Sequence, residues 1–141
     1  MAHSPELPLG MLAARFAKEF EARVFEALTR AGYPDLRVRH SVLLGSLDRT
    51  GLRLTRLAAQ AGMTPQAMGE LVDDLERGGY LERRPDPADR RARLIVATPK
   101  GERALADCLR IVAEVEASYA TTLGTERYAA AQGALGDLLE R

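Results

Sequence analysis

The sequence predicts a mainly α-helical chain that carries one small antiparallel β-hairpin. Apolar residues recur at helical spacing over several long segments, and two short segments on either side of a proline-rich polar loop favour strands. Strands and helices do not alternate as they do in a doubly wound enzyme fold. The length of 141 residues suits one compact domain, or a small domain with helical extensions.

The composition excludes several classes of protein. Hydrophobic residues make up 46% of the chain, which is ordinary for a globular protein and rules out wholesale disorder. No apolar run approaches the roughly 18–20 residues of a membrane span, and residues 1–30 lack the core of a signal peptide. Cys108 is the only cysteine of the sequence, so we expect no internal disulfide and a cytoplasmic protein.

The charges are unevenly distributed along the chain. The 20 basic and 20 acidic residues cancel overall, but residues 37–103 hold 13 basic and 9 acidic residues, a net charge of +4. Residues 1–36 hold 4 and 5 (net −1), and residues 104–141 hold 3 and 6 (net −3). Of the 20 basic residues, 18 are arginine, which suits bidentate contacts to phosphates and bases, although codon bias also explains such an excess.

The first predicted element is a long helix from Leu9 to about Ala31, preceded by a loose leader over residues 1–8. Its apolar residues recur every four positions, and each such step rotates the stripe by about 40°, so apolar surface covers much of the helix. Gly32 and Pro34 end it. The stripe consists of Leu12, Phe16, Phe20, Val24 and Leu28.

Shorter elements are predicted to follow. A second helix spans about residues 36–48, and residues 52–54 form a very short extended piece. Thr55 is predicted to cap a brief helix that stops at Gly62. The next helix, residues 64–77, opens with a threonine cap and a proline in its first turn.

A hairpin and two more helices complete the order. The strands are predicted at Tyr80–Arg84 and Leu94–Thr98, and the loop Pro85–Arg91 suits a hairpin longer than a tight turn. A long helix at about Glu102–Leu123 carries an apolar seam of the coiled-coil type, and residues 126–139 form a last helix. The seam consists of Leu105, Cys108, Val112, Val115 and Tyr119.

The two short helices at residues 55–77 have the spacing of a helix-turn-helix. That motif needs a small residue where the helices cross, a glycine in the turn and apolar anchors behind the second helix. These positions are occupied by Ala58, Gly62, Met68 and Leu71. The spacing alone leaves a plain pair of packed helices as an alternative, but the arginine-rich hairpin that follows makes the whole a winged helix.

A winged helix predicts binding to double-stranded DNA. Recognition helix 64–77 would enter the major groove and wing 84–93 the minor groove. Gln66 can bond an adenine edge, and Thr64 can hold a phosphate through its hydroxyl or the free amides of the helix start. Acidic residues in the second half of the helix would repel phosphates, so we expect that half to tilt away from the DNA. The predicted DNA-binding residues are Thr64, Pro65, Gln66 and Gly69 on the helix, and Arg90 and Arg91 in the wing. Gly69 would allow close approach, and Glu70 is a weaker candidate for bonding a cytosine.

The chain resembles the MarR family of bacterial transcriptional regulators over about residues 54–101. The most specific stretches are Asp86-Pro87-Ala88-Asp89-Arg90-Arg91 and Thr98-Pro99-Lys100-Gly101. The resemblance implies that Arg90 enters the minor groove at the wing tip. Asp89 and Arg93 would brace the wing by ion pairing, with a solvated loop carboxylate as the less favoured interpretation of Asp89.

The resemblance also implies an obligate homodimer. Residues 1–36 and 104–141 would form the helical dimerisation region, and residues 37–103 the winged helix-turn-helix DNA-binding region. The predicted interface residues are Leu12, Phe16, Leu105, Val112, Val115 and Tyr119. Members of the family are usually repressors that release DNA when a small effector, often an aromatic acid, binds between the dimer helices and the DNA-binding lobe.

Other sites are weakly indicated by the sequence. Arg15 and His40 are candidates for the effector pocket, with His40 alternatively a surface or packing residue. Cys108 is read as a core residue rather than a reactive thiol. Because the histidines have no metal-ligand spacing to Cys108, and no glycine-rich phosphate loop or nucleophile elbow is present, we expect no metal, no cofactor and no enzyme. A winged-helix module that binds protein instead of DNA is the alternative function.

Overall fold

The computed structural model describes residues 7–140, and it confirms the predicted class: helices with a small three-stranded antiparallel sheet. Most of the predicted leader lies outside the described residues. The elements in chain order are α1 (Leu9–Arg30), a 3-10 turn (Val38–His40), α2 (Ser41–Leu44), β1 (Leu52–Arg53), α3 (Leu54–Ala61), α4 (Pro65–Arg77), β2 (Leu81–Asp86), β3 (Asp89–Ala97), α5 (Pro99–Leu123) and α6 (Thr125–Leu139).

The predicted continuous helix over residues 36–48 is wrong. The segment forms only the 3-10 turn and the single turn α2 before the chain turns at Gly45. Local side-chain bonds to the backbone compete with the helix. The His40 ring accepts a hydrogen bond from the Arg37 amide at 2.9 Å, and the Asp48 carboxylate accepts one from the Gly51 amide at 2.7 Å.

The helix-turn-helix is formed by α3 and α4. Gly62 ends α3 in the left-handed region at φ +64°, a conformation that favours glycine. The Thr64 hydroxyl accepts the Ala67 amide at 3.1 Å, and Pro65 occupies the first turn of α4, as predicted. The predicted cap at Thr55 is wrong, since α3 begins at Leu54 directly after β1 without a side-chain cap. The predicted anchors Ala58, Met68 and Leu71 are buried.

The hairpin is longer and tighter than predicted. β2 and β3 extend toward each other until Asp86 pairs with Asp89, so that only Pro87 and Ala88 connect them. The register shifts after Pro85, which pairs with Arg93, and β3 therefore bulges between Asp89 and Arg93. β3 is the central strand, because β1 pairs with its other edge through Leu52 and Arg53.

Helices α1 and α5, which belong to the two helical ends of the chain, pack on the winged lobe, residues 37–103. Val24 and Leu28 of α1 and Ala104, Ile111 and Val115 of α5 are buried in one core with the lobe. The buried face of α5 thus differs from the predicted seam, which omitted Ala104 and Ile111. None of the α6 residues is buried within this chain.

Candidate nucleic-acid interface

Helix α4 presents a polar stripe to solvent. Met68, Val72 and Leu75 anchor its inner face in the core. Positions three and four apart lie on one face of a helix, and the exposed residues follow that spacing on the outer face. These are Gln66, Glu70, Asp73 and Arg77.

The first turn of α4 is open. Thr64, Pro65 and Gln66 are exposed, and the positive end of the helix dipole lies at this turn. The Thr64 hydroxyl is already engaged as the cap, so its side chain serves the helix start. Gly69 lies on the flank toward α3. A Cβ there would lie 3.9 Å from Leu54 Cδ2, an ordinary contact, so nothing in the fold itself demands glycine.

The acidic second half of α4 is ion-paired within the chain. Arg83 of β2 donates to Asp73 and to Glu76, each at 2.7 Å. Asp74 pairs with Arg77 at 2.5 Å and Arg39 at 3.0 Å. The hydrogen bond to the buried His40 ring, followed by the two guanidinium charges, holds the pKa of Asp74 below its usual value. The sequence did not reveal the pairs with Arg83 and Arg39 because these two arginines lie on other elements, whereas Arg77 lies on α4 itself, three positions after Asp74.

A buried carboxylate braces the wing. Arg53 of β1 donates to Asp86 Oδ2 through Nε at 3.0 Å and Nη2 at 2.8 Å. The Ala88 amide at 2.9 Å and the Arg53 guanidinium both hold the pKa of Asp86 below its usual value. Asp89 also contributes, since it lies 4.0 Å from Arg53 and accepts the Arg91 amide at 3.0 Å.

The predicted brace Arg93 has to be corrected to Arg53. Arg93 is exposed and forms no ion pair within residues 7–140. Arg53 replaces it because β1 adds to the edge of β3 and places Arg53 opposite Leu94, beside the wing. Arg53 lies in a strand of only two residues. So short a strand does not allow its pairing with β3 to be predicted from the sequence, and the contact between Arg53 and Asp86 depends on that pairing.

The wing tip carries cations without carboxylate partners. Arg90, Arg91 and Arg93 are exposed, and none of them forms an ion pair in the described part of the chain. Arg84, at the base, is paired with Glu82. Three positive charges without a carboxylate partner therefore lie in the wing, where a ligand can reach them.

The predicted interface residues fall into two groups. Leu12 and Phe16 of α1 are 48% and 47% exposed, so they leave large apolar surface uncovered. Val115 is buried against α1 within this chain, and Leu105, Val112 and Tyr119 are half-buried. Phe16 and Tyr119 pack with ring centroids 4.9 Å apart.

Neither effector-pocket candidate lines the clefts of about 250 and 380 Å³ in the structure. His40 is 1% exposed, and both its ring nitrogens have partners within the chain, Arg37 and Asp74. Arg15 is exposed on α1. A cleft of about 380 Å³ instead lies between α1, α5 and α6, lined by Phe16, Tyr119 and Tyr128 among others. Burial raises the pKa of the Cys108 thiol, in line with its reading as a core residue.

A capped recognition helix, a left-handed glycine turn and a braced basic hairpin define a winged helix-turn-helix protein. The sequence model of the MarR family matches residues 35–92. The transcriptional regulator HosA of Escherichia coli O111:H- is 30% identical over 94 residues, which cover 66% of this chain and 70% of HosA. The chain therefore belongs to the MarR family of transcriptional regulators.

Solved structures agree with this assignment. A MarR-family regulator from Rhodococcus sp. RHA1 is 28% identical, with a TM-score of 0.69 over 92% of both chains. A MepR variant of S. aureus, solved bound to an oligodeoxyribonucleotide, shares the fold with 22% identity and a TM-score of 0.66 over 95% of this chain and 97% of that one.

The helices of residues 7–140 include none with the length and apolar character that a membrane span requires.

Proposed function

We propose that this protein is a homodimeric, sequence-specific DNA-binding repressor, with α4 in the major groove and the wing in the minor groove. The observation that carries the proposal is the pairing pattern of the lobe. The carboxylates in the second half of α4 are ion-paired, whereas the three arginines toward the wing tip form no ion pair within residues 7–140. A positive loop tip beside an exposed recognition helix suits two adjacent grooves of B-DNA.

Individual residues take separate roles in this proposal. The open first turn of α4, with Thr64, Pro65 and Gln66, approaches the base edges and the adjacent phosphate, with Gly69 beside it. Arg90 and Arg91 enter the minor groove, where a narrow A·T-rich groove attracts arginine. Asp89, together with Asp86, holds the wing in shape.

The exposed apolar residues of α1 support the homodimer. About half of the surface of Leu12 and Phe16 is exposed to solvent in the single chain, which leaves an apolar stripe uncovered on α1. A second copy of the chain is the partner that the family implies for this stripe. Two lobes related by a two-fold axis would read half-sites about 34 Å apart. Release of DNA by a small aromatic acid, bound between the dimer helices and the lobe, completes the proposal.

DNA binding to the intergenic segment next to its gene tests the proposal. Fluorescence anisotropy at several salt concentrations should show an affinity that falls steeply with salt, because bound arginines displace counterions. Arg90→Ala should weaken binding by roughly 1–3 kcal/mol and relax the preference for A·T-rich flanks. Arg110→Ala, on α5 away from the lobe, is the control and should bind as the wild type does. A wild-type protein that binds none of these fragments at low salt would favour the protein-interaction alternative.

A further inference from the structure

Arg83 bridges the recognition helix and the base of the wing. From β2 its Nη1 donates to Glu76 Oε1 and its Nη2 to Asp73 Oδ1, both at 2.7 Å. Its backbone amide also donates to Glu76 Oε2 at 3.3 Å. One guanidinium fork thus holds two carboxylates that lie one turn apart on α4, as the planar geometry of arginine allows.

One of these carboxylates lies on the side of α4 that meets DNA in the proposed function. Seven residues separate Gln66 from Asp73, which places them on the same stripe, about 10 Å apart along the axis. An unpaired carboxylate at that distance from a base-reading residue would lie near the phosphates, and like charges there would oppose binding.

The bridge does little for the stability of the fold. The side chains of Asp73 and Glu76 are 53% and 40% exposed, and ion pairs between such exposed groups stabilise a protein weakly. Its consequence is electrostatic and geometric. It lowers the negative charge of the outer face of α4, and it ties α4 to β2, the strand that continues into the wing.

We propose that Arg83 is a positioning residue for DNA binding. It compensates Asp73 and Glu76 so that the second half of α4 can lie beside the phosphate backbone, and it sets the spacing between helix and wing. Arg83 itself does not touch DNA in this arrangement. The inference rests on the proposed function and replaces the expectation that the acidic half tilts away.

The test compares operator affinity and its salt dependence for the wild type and four variants. Arg83→Ala should lower affinity by about tenfold, because two carboxylates per protomer become uncompensated. Adding Asp73→Asn and Glu76→Gln to Arg83→Ala should restore most of that loss. Arg83→Lys keeps the charge but lacks the fork, so its affinity should lie between these values. The control Arg110→Ala, which breaks only exposed pairs with Asp107 and Glu114 on α5, should change affinity less than twofold by comparison.

Thermal unfolding accompanies these measurements. The midpoint of Arg83→Ala should stay within about 3 °C of the wild type, which shows that the lobe remains folded. Unaltered affinity in Arg83→Ala would overturn the inference. The inference would also be overturned if the two neutral substitutions did not restore the affinity lost in Arg83→Ala and the salt slope fell by about 1 per protomer. That result would mean that Arg83 contacts a phosphate directly. If the wild type does not bind DNA, the proposed function itself is refuted. If the wild type binds DNA and either of the two results above is observed, only the inference about Arg83 is refuted.

Discussion

The winged lobe and the helical ends differ in how far they bury their apolar side chains and pair their charged ones within the single chain. In the lobe, residues 37–103, large apolar side chains such as Met68, Leu75 and Tyr80 are almost fully buried within one chain. The carboxylates whose pKa values are held low, Asp48, Asp74, Asp86 and Glu102, all belong to this region. In α1 and α6, by contrast, Leu12, Phe16, Leu135 and Leu138 remain exposed.

This difference identifies the region where the proposed homodimer would form. A region that buries its own apolar groups and pairs its own charges tolerates changes at its surface and fails when its interior is altered. A region with exposed apolar stripes should respond in the opposite way, because its surface is where a second copy would pack. Each prediction below either breaks this contrast or sharpens it.

The largest effect is expected at Gly101, a buried residue in the first turn of α5 that still belongs to the lobe. A Cβ there would lie 1.9 Å from the Tyr80 carbonyl oxygen, so Gly101→Ala should lower the free energy of unfolding by about 3 kcal/mol. Gly133→Ala in α6 is the matched control, because open space surrounds that position. The control should be neutral or raise stability by up to about 1 kcal/mol. Urea denaturation measures both, and equal effects would contradict the contrast.

A charge on the exposed stripe of α1 comes next. Phe16→Glu should abolish the proposed dimer and lower operator affinity by at least about 100-fold, since two linked half-sites bind far better than one. Circular dichroism should still show a folded lobe. Ala22→Glu, exposed on the same helix, should leave both properties unchanged. Light scattering measures the mass, and a Phe16→Glu protein that is still dimeric excludes Phe16 from the interface.

The wing offers a comparison between two arginines. Arg53→Ala removes the guanidinium that holds Asp86 and should weaken DNA binding by roughly tenfold, the equivalent of one charge-assisted hydrogen bond. It should also lower the thermal midpoint, because the carboxylate loses its partner. Arg93→Ala should leave that midpoint unchanged. Arg93 would be the brace, as the sequence predicts, if only Arg93→Ala lowered the midpoint.

The smallest expected effect is the response of the lobe to acid. Hydrogen bonds and arginines hold the pKa values of Asp48, Asp74, Asp86 and Glu102 below their usual range. A lowered pKa in the folded state gives stability that is complete above about pH 4 and is lost as the pH falls through the lowered values. Asp86→Asn should flatten this decline, and Asp137→Asn in α6 should not. Urea midpoints between pH 5 and pH 2.5 measure it, and a wild-type midpoint that stays constant over that range would contradict the sign.

Local rules predicted the recognition motif well. The cap at Thr64, the proline after it and the glycine turn at Gly62 depend on neighbours within a few residues, so the sequence alone identifies them. The buried anchors Met68 and Leu71 follow from helical periodicity. The structure keeps the predicted cap, turn and buried anchors because these features depend on neighbouring residues and not on contacts with remote ones.

Remote contacts account for what the sequence did not predict. In the segment where a helix is expected over residues 36–48, the His40 ring bonds the remote Asp74 of α4 in addition to its local bond with Arg37. The bracing residue is Arg53 because a two-residue strand joins the far edge of β3. In α5, the small residue Ala104 belongs to the buried face because α5 packs closely on the rest of the core, a fact that a search for large apolar residues misses.

The sequence by itself therefore determined the order of the elements, the helix-turn-helix with its cap and turn, the basic wing and the likeness to the MarR family. These features follow from periodicity, capping and charge, which act over a few residues. Only the tertiary structure decided which arginine meets which carboxylate. Arg53 with Asp86, and Arg83 with Asp73 and Glu76, come from different elements, and an ion pair forms wherever packing brings its groups within about 4 Å, whatever their distance in sequence.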